Sequence, residues 1–363
     1  PLYILYTSGT TGQPKGVVRD NGGHAVALQW SMKNIYNVDP GEVYWAASDV
    51  GWVVGHSYIL YGPLLHGCTT VIYEGKPVGT PDPGAFWRVI SEHNVNVMFT
   101  APTAIRAIRQ QDPDGTYVGQ YNRSSLRTLF VAGERCDPDT LGWLESQLQI
   151  PVIDHMWQTE TSGPVFGNPY GLGMLPIKPG SATLPLPGID AAVVDSTGTP
   201  CPTDEEGIMV IKRPFPGLVA SLWGEPERYG RDYWSKIPGD VYYSGDSAHI
   251  DNDGYVWFGG RADEIIKIAA HRIGTIEVES ACLKHPAVAE CGVIGRPDST
   301  RGEVISAFVL LKQNQHPSDE LRQELIATIR HELGPVAVVG ELNFVGMLPK
   351  TRSGKIMRRV LRA

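Results

Sequence analysis

Near its start the chain carries Tyr6-Thr7-Ser8-Gly9-Thr10-Thr11-Gly12-Gln13-Pro14-Lys15-Gly16, and these residue types limit what the string can do. Thr7, Ser8 and Thr10 precede Thr11, glycines are interleaved among them, and a single lysine closes the run. Amides and hydroxyls in such a loop can surround a polyphosphate while the one ammonium reaches its oxygens. It is not the phosphate loop of the common NTPases. GxxxxGK[ST] read from Gly9 would need glycine at position 14, where Pro14 stands. A solvated, glycine-rich hairpin turn is the alternative reading of a short cluster of this composition. At the other end Lys355 sits among Lys350, Arg352, Arg358, Arg359 and Arg362, which reads either as a cation supply or as a basic solvated tail or nucleic-acid patch.

Such residues need rigid elements behind them. A hydrophobic strand in Leu2–Tyr6 feeds the loop, Gly16–Arg19 reads as a second short strand, and apolar positions recur at helical spacing from Gly23 to Ile35. The aromatic-rich run Trp45–Tyr58 reads as a buried strand and turn, with glycines between Trp52 and His56 that let a ligand approach the backbone. Strand-like runs at Thr69–Tyr73, Val97–Thr100, Leu129–Ala132 and Val152–Asp154 alternate with helical ones at Phe86–Glu92 and Thr103–Gln110. This rhythm predicts a mainly parallel sheet covered by helices, with ligands at the carboxyl ends of its strands. From about Pro164 the chain becomes short strands punctuated by Pro and Gly, a small β subdomain ending in Tyr243–Asp246 and Tyr255–Arg261. The last segment, 262–363, reads as a small α/β unit with helices at Thr275–Lys284 and Ser318–Leu333 and strands at Glu290–Gly295 and Val304–Leu311.

Composition narrows the partners. With 363 residues the chain can bury a large core and hold more than one domain. The 31 basic and 39 acidic residues give a formal −8, which argues against coating nucleic acid or anionic membrane and favours small partners. Cys68, Cys136, Cys201, Cys282 and Cys291 are an odd, scattered set without a CxxC pair, so a reducing compartment fits better than a disulfide framework or a zinc site. No apolar run approaches the roughly 20 residues of a membrane-spanning helix.

The phosphate-type loop, Gln158-Thr159-Glu160, Ser244-Gly245-Asp246, Gly260-Arg261-Ala262-Asp263 and Pro349-Lys350-Thr351-Arg352-Ser353-Gly354-Lys355 stand in one order along the chain. In that order they resemble the adenylate-forming, AMP-forming acyl-CoA synthetase superfamily. Trp52–Tyr58, Trp157–Glu160 and Leu348–Arg359 are similar to its acetyl-CoA and propionyl-CoA synthetase branch over essentially the whole chain. The resemblance implies an α/β fold. Residues 1–261 would be the C-terminal portion of a large, multi-subdomain AMP-binding domain whose N-terminal part precedes Pro1, with the β subdomain at about 164–261. Residues 262–363 would be a small mobile C-terminal domain.

The implied reaction is that of an acid–thiol ligase using ATP, Mg²⁺ and coenzyme A, which makes an acyl-adenylate and then an acyl-CoA. Its implied ATP and AMP site comprises Thr7, Ser8, Gly9, Thr10, Thr11, Gly12 and Lys15 around the phosphates and Gly133, Glu134 and Arg135 as the adenine shelf. Asp154, Met156, Trp157, Gln158 and Thr159 would lie near the nucleotide, Asp246 and Arg261 on the ribose, and Arg272 on the AMP side. Thr159, Glu160 and Lys355 would be catalytic, with Glu160 as the hard oxygen ligand that suits Mg²⁺. Asp263 matches the hinge, Arg330 the arginine on the CoA phosphate, and Ala269 and Ala270 the pantetheine passage. The chain departs from the pattern at Arg135, where Pro is usual, at Met156, where a second Trp is common, and at Ala270, where a glycine precedes the histidine.

Trp52, Val53, Val54, Ala132 and Trp157 are the implied acyl pocket. Trp157 would wall off long chains. Ala132 and Val54 stand where acetate enzymes carry Val and Thr, which leaves a larger, less polar cavity. At about 0.8 kcal/mol per buried CH₂, this favours propionate over acetate several-fold. The alternatives are activation of 3-hydroxypropionate by one module of a larger multifunctional enzyme, and a nucleotide-binding fragment without turnover. The expected partners are a short-chain carboxylate, ATP and CoA, with neither nucleic acid nor membrane, and a lysine acyltransferase or deacylase acting on Lys355. The expected location is the cytoplasm, with the mitochondrial matrix or another reducing compartment left open.

Overall fold

The computed structural model describes residues 1–7, 13–269, 271–350 and 356–362. Its first elements are β1 (Tyr3–Thr7), β2 (Lys15–Arg19), α1 (Gly22–Asn34), β3 (Val43–Ala46), a π-type turn of helix (Gly55–Tyr61), α2 (Gly62–His66), β4 (Thr69–Thr70) and α3 (Ala85–His93). They continue through β5 (Val97–Thr100), α4 (Pro102–Gln111), β6 (Thr128–Val131), α5 (Pro138–Leu148) and β7 (Val152–Asp154). Shorter elements follow: β8 (Phe166–Gly167), β9 (Leu184–Pro185), β10 (Ala191–Val194), β11 (Gly207–Ile211), β12 (Ser221–Leu222), α6 (Pro226–Tyr229), β13 (Tyr242–Ile250) and β14 (Val256–Arg261). The last group is β15 (Ile266–Ile268), β16 (His271–Ile273), α7 (Thr275–Leu283), β17 (Val288–Asp298), β18 (Gly302–Leu311), α8 (Asp319–Leu333), β19 (Val339–Phe344) and α9 (Arg358–Leu361).

The chain divides into two compact units: Pro1–Ala192 with Val210–Ser244 and Asp251–Trp257, and Val193–Met209 with Gly245–Ile250 and Phe258–Ala363. In the first unit a five-stranded sheet of order β4-β3-β5-β6-β7 is parallel at every pairing. Side chains alternate across a strand, so each strand here must be apolar on both faces to be covered on both. Trp45, Met98, Leu129, Val131 and Val152 face one core with Trp87, Ile90, Ile105, Leu141 and Leu144 from α3, α4 and α5. Tyr44, Phe99, Phe130, Ala132 and Ile153 face the other core with Leu28 and Met32 of α1 and Tyr58 of the π-type helix. Helix starts follow local chemistry: Pro102 and Pro138 open α4 and α5, and the Asp137 carboxylate caps α5 by accepting from the Thr140 amide at 2.8 Å.

A separate three-stranded sheet of order β1-β2-β12 carries the loop, with Thr7 opposite Lys15 and Tyr3 opposite Arg19. β10, β11, β13 and β14 form a four-stranded sheet in that order. In the second unit β16-β15-β18-β17, with β19 on β18, pack Val293, Ile305, Ala307 and Val309 against Val278 of α7 and Leu325 and Ile329 of α8. Ser318 caps α8, with Asp319 and Glu320 in its first turn and Arg330 and His331 in its last, each sign at the favourable end of the helix dipole.

Two local expectations change. The run Thr69–Tyr73 pairs only as β4, because β3 offers it Val43 and Tyr44 alone. Gly55–Tyr61 is helical rather than strand and turn. Ser244-Gly245-Asp246, expected within the β subdomain, lies inside strand β13, with Gly245 at φ 75°.

Candidate active site

β2 presents Lys15, Val17 and Arg19 on one face, since residues two apart along a strand share a side. Val17 and Arg19 are fully buried. The loop-closing Lys15 sends its ammonium to Glu160 Oε1 at 2.8 Å. The Tyr233 hydroxyl donates to the same oxygen at 2.5 Å, and Lys15 donates to the Tyr233 hydroxyl. Burial pushes the Glu160 carboxyl up, but the Lys15 charge and the two hydrogen bonds outweigh it and hold the group below the usual carboxylate range. Glu160 is therefore an anion buried beside the phosphate-type loop. Across the hairpin, the Thr7 hydroxyl is buried without a hydrogen-bond partner among the described residues. Ser8, Gly9, Thr10, Thr11 and Gly12 lie outside the described residues.

Glu160 is fixed by the turn that carries it. Thr159–Thr161 form a single 3₁₀ turn, closed by the Gln158 amide on Thr161 Oγ1 at 2.9 Å. The Gln158 side-chain amide donates to the Ser244 carbonyl at 2.8 Å and accepts from the Tyr242 hydroxyl at 3.1 Å. Its polar atoms are thus committed to protein partners, leaving half-buried Thr159 as the more available side chain. The turn ends at Ser162, buried and in the left-handed region at φ 72°. Its carbonyl accepts from Ser57 Oγ at 2.7 Å and its hydroxyl bonds His24 Nδ1.

At the carboxyl end of β6, Gly133 adopts φ 99° and Glu134 pairs with Arg106, which also binds Asp137 at 3.1 Å. Arg135, the departure from the expected Pro, lies against the Trp257 ring with its guanidinium carbon 5.9 Å from the centroid. Asp154, at the end of β7, accepts from the Cys136 amide at 2.9 Å, and burial pushes its carboxyl up to about 7. Met156 bridges to Phe166 in antiparallel fashion. Ala132 belongs to the apolar cluster against which Val54 and Trp157 pack, and the Trp157 ring meets Tyr58 edge-on at 5.4 Å and Phe99 at 6.2 Å. Three of the five expected acyl-pocket residues are therefore together. Val53 and Trp52, the latter 38% exposed, lie outside that cluster.

In the second unit Asp246 accepts from Arg261 Nη1 at 3.0 Å, and Arg261 lies 3.6 Å from Asp263. A Cβ on Gly245 would stand 2.3 Å from the end of the Arg261 side chain, and at φ 75° the backbone itself favours glycine. Ala269 is exposed at φ 54°, in the left-handed backbone that glycine adopts freely. Arg330 lines an open depression of about 470 Å³ with Gln323, Ile326, Ala327, His331 and Pro335. Arg272 pairs with Lys267 through the β15–β16 ladder. Its side chain, Ala270 and Lys355 lie outside the described residues. Arg358, three residues beyond Lys355, is buried with two bonds to Glu279 at 2.6 and 2.8 Å, one to Glu264 at 3.2 Å and one to the Val293 carbonyl at 3.1 Å. Part of the basic C-terminal stretch is thus folded in.

Residues 1–221 match the family model described as AMP-binding enzyme, and residues 277–355 match the one described as AMP-binding enzyme C-terminal domain. The chain belongs to the AMP-binding enzyme family. Among relatives of this AMP-binding enzyme, the acyl-CoA synthetase short-chain family member 3, mitochondrial, of Mus musculus is 50% identical over 366 residues, covering 100% of this chain and 54% of its own length. The acetyl-coenzyme A synthetase of Pyrobaculum aerophilum is 47% identical over 366 residues, with coverages of 100% and 54%. The chain spans about half the length of the curated relatives it matches. The crystal structure of an anthranilate CoA ligase in complex with anthranoyl-AMP superposes with TM-score 0.86 at 28% identity, covering 99% of this chain and 66% of that one. The fold is the mixed α/β fold of adenylate-forming ligases, as the five ordered motifs led us to expect. No helix among the described residues is long and apolar enough to cross a membrane.

Two residues that bear on the site, Tyr233 and Arg19, had not been assigned a role from sequence. Arg19 left one signal, a charge placed four residues after Lys15 on the same face of a strand whose intervening residue is apolar. Tyr233 left none.

Proposed function

We propose that the complete protein is an AMP-forming short-chain acyl-CoA synthetase that prefers propionate. The observation that carries the reading is the joining of Lys15 to Glu160 at 2.8 Å, a phosphate-loop cation and a buried, ionised carboxylate held by one strand and one turn. The names of the mouse and Pyrobaculum relatives support the same class.

In the first half-reaction a carboxylate oxygen bonds the α-phosphorus of ATP as the α–β phosphoanhydride bond breaks and pyrophosphate leaves with the electron pair. In the second, the CoA sulfur bonds the acyl carbon, the acyl–phosphate bond breaks, AMP leaves and the thiol proton is lost. Negative charge grows on several oxygens in the first step, so donors and cations must already converge there. Residues 7–12 and Lys15 would hold the β and γ phosphates, and Thr159 with the backbone of Gln158 would face the α-phosphate. A lone, hard, ionised carboxylate beside the phosphates fits Mg²⁺, which keeps several waters; Glu160 would hold it and the ion would neutralise phosphate charge. Gly133, Glu134, Arg135, Asp154, Met156 and Trp157 would frame the adenine side.

Asp246, Arg261 and Arg272 would serve the ribose and AMP, Lys355 the reacting carboxylate, and Ala269, Ala270 and Arg330 the CoA. Residues 1–261 and 262–363 would act as a large domain and a mobile C-terminal domain hinged at Asp263. A lysine acyltransferase acting on Lys355 would switch the first step off by removing its charge, and a deacylase would restore it. A reducing compartment, cytoplasm or mitochondrial matrix, suits the five cysteines.

For the acid, Ala132 and Val54 border the Trp157 wall with small or apolar groups, which supports a three-carbon chain over acetate. Acyl-CoA formation across acetate, propionate, butyrate and 3-hydroxypropionate tests this. The highest kcat/KM is expected for propionate, and a preference for acetate or for the hydroxy acid would overturn it.

A further inference from the structure

Arg19 has no place in the reading above, yet it is fully buried on the face of β2 that carries Lys15. Among the described residues no carboxylate lies within ion-pair distance of its guanidinium. Its two hydrogen bonds go to backbone carbonyls, Gly217 at 2.5 Å through Nη1 and Thr159 through Nη2. Nε is buried without a hydrogen-bond partner among the described residues. A buried cation without an anion is costly, and an aliphatic side chain would fill the same place without that cost. What the guanidinium gives in return is a planar fork that can grip two chain segments at fixed geometry.

The second segment is close for a reason. A Cβ on Gly217 would stand 2.8 Å from the Thr161 carbonyl, so this stretch lies directly against the turn. The turn is then held along its whole length by residues that follow the phosphate-type loop within one hairpin and one helix. Lys15 holds Glu160, Arg19 holds the Thr159 carbonyl, and His24 holds the Ser162 hydroxyl at the strained φ 72°.

We propose that Arg19 is a positioning residue: by gripping the Thr159 and Gly217 carbonyls it sets the height of the Gln158–Ser162 turn over β2, and so aims Thr159 and Glu160 at the phosphates. The inference rests on the proposed acyl-CoA synthetase reading. It assigns Arg19 mainly to the adenylation half-reaction, because the Mg²⁺ that Glu160 would hold serves the pyrophosphate that leaves only in that half, whereas the α-phosphate that Thr159 would face stays through both.

The test uses the complete protein with Arg19→Met and Arg19→Lys. Propionate-dependent ATP–pyrophosphate exchange is compared with thioester formation from supplied propionyl-adenylate and CoA, and the Mg²⁺ concentration for half-maximal exchange is measured. Misplacing reacting groups by an ångström costs roughly 10- to 100-fold. Arg19→Met is therefore expected to lose exchange by about that factor, with a raised Mg²⁺ requirement, an unchanged KM for propionate and thioester formation within about threefold of the parent. Arg19→Lys, which keeps the cation but not the fork, should fall between. If Arg19→Met does not accumulate folded, the same ratio in Arg19→Lys decides. Parallel loss of both half-reactions, or an unchanged Mg²⁺ requirement, would overturn the positioning role. Absence of exchange in the unsubstituted protein would instead overturn the functional reading, and this inference with it.

Discussion

Two buried ion pairs in this molecule look alike and are built differently. In the first unit Lys15 reaches one oxygen of Glu160, and the Tyr233 hydroxyl shares that same oxygen. In the second, Arg358 takes both oxygens of Glu279 through Nη2 and adds Glu264 and the Val293 carbonyl. A lysine ammonium is a compact charge on a flexible stem, and one oxygen leaves it free to change partners. A guanidinium with its donors spread over three protein groups is fixed in direction by them. On the proposed reading the first pair would hand over two charges, the carboxylate to a cation and the ammonium to phosphates. The second fastens the segment just beyond Lys355 to α7 and β17. A third buried acid, Asp154, shows the other outcome, since burial outweighs its partners and its carboxyl rises to about 7.

The comparison is broken most decisively at Glu279. Removing one partner of a buried pair leaves a charge uncompensated, so Glu279→Gln should lower unfolding free energy by about 3–5 kcal/mol. Denaturation of the complete protein measures this, and a loss under about 1 kcal/mol would mean the pair is no anchor. Glu160→Gln should show the opposite pattern: exchange lower by roughly 10²- to 10³-fold, as for loss of one preorganised electrostatic group, with a smaller stability loss than at Glu279 because the Lys15 side chain, 21% exposed, can turn to solvent. Equal damage to stability and exchange would erase the distinction between the two pairs.

Asp154→Asn sharpens it further through pH. A folded-state value near 7, raised by burial, stabilises the fold at pH below the unfolded value of 3.8, and that contribution is lost as pH rises through 7. Burial lowers the neighbouring His155 to about 4, so its contribution is present above 6.5 and is lost as pH falls through 4. The two offset each other in the same window. Removing the acid should make the variant gain on the parent by on the order of 2 kcal/mol between about pH 5 and pH 7. A pH-independent difference would place the Asp154 carboxyl in the ordinary range. The smallest effect is expected at Ala132→Val, where added methyl groups worth about 0.8 kcal/mol each should shift kcat/KM several-fold toward acetate. An unchanged ratio would remove Ala132 from the pocket.

What could be read in the sequence follows from the range of the interactions. The parallel sheet was legible because Val97–Thr100, Thr128–Val131 and Val152–Asp154 are apolar on both faces, a pattern local to each strand. Thr69–Tyr73 was not, because an apolar run looks the same whether or not a neighbour pairs with all of it; Val71 and Tyr73 pack on the core without joining the ladder. At the site, residue types drew attention to Lys15, and the resemblance drew it to Thr159 and Glu160. Arg19 and Tyr233 act on the turn from 140 and 73 residues away in sequence, a distance no local pattern spans. Arg358 read only as one member of the basic cluster around Lys355, since only the fold reveals the buried Glu279 that receives it.

Acid-dependent ATP–pyrophosphate exchange by the complete protein tests the central claim most directly. The account predicts label moving from pyrophosphate into ATP only when a short carboxylate is present, fastest with propionate, and lost in Glu160→Gln. Tight AMP binding with no exchange for any acid would contradict it.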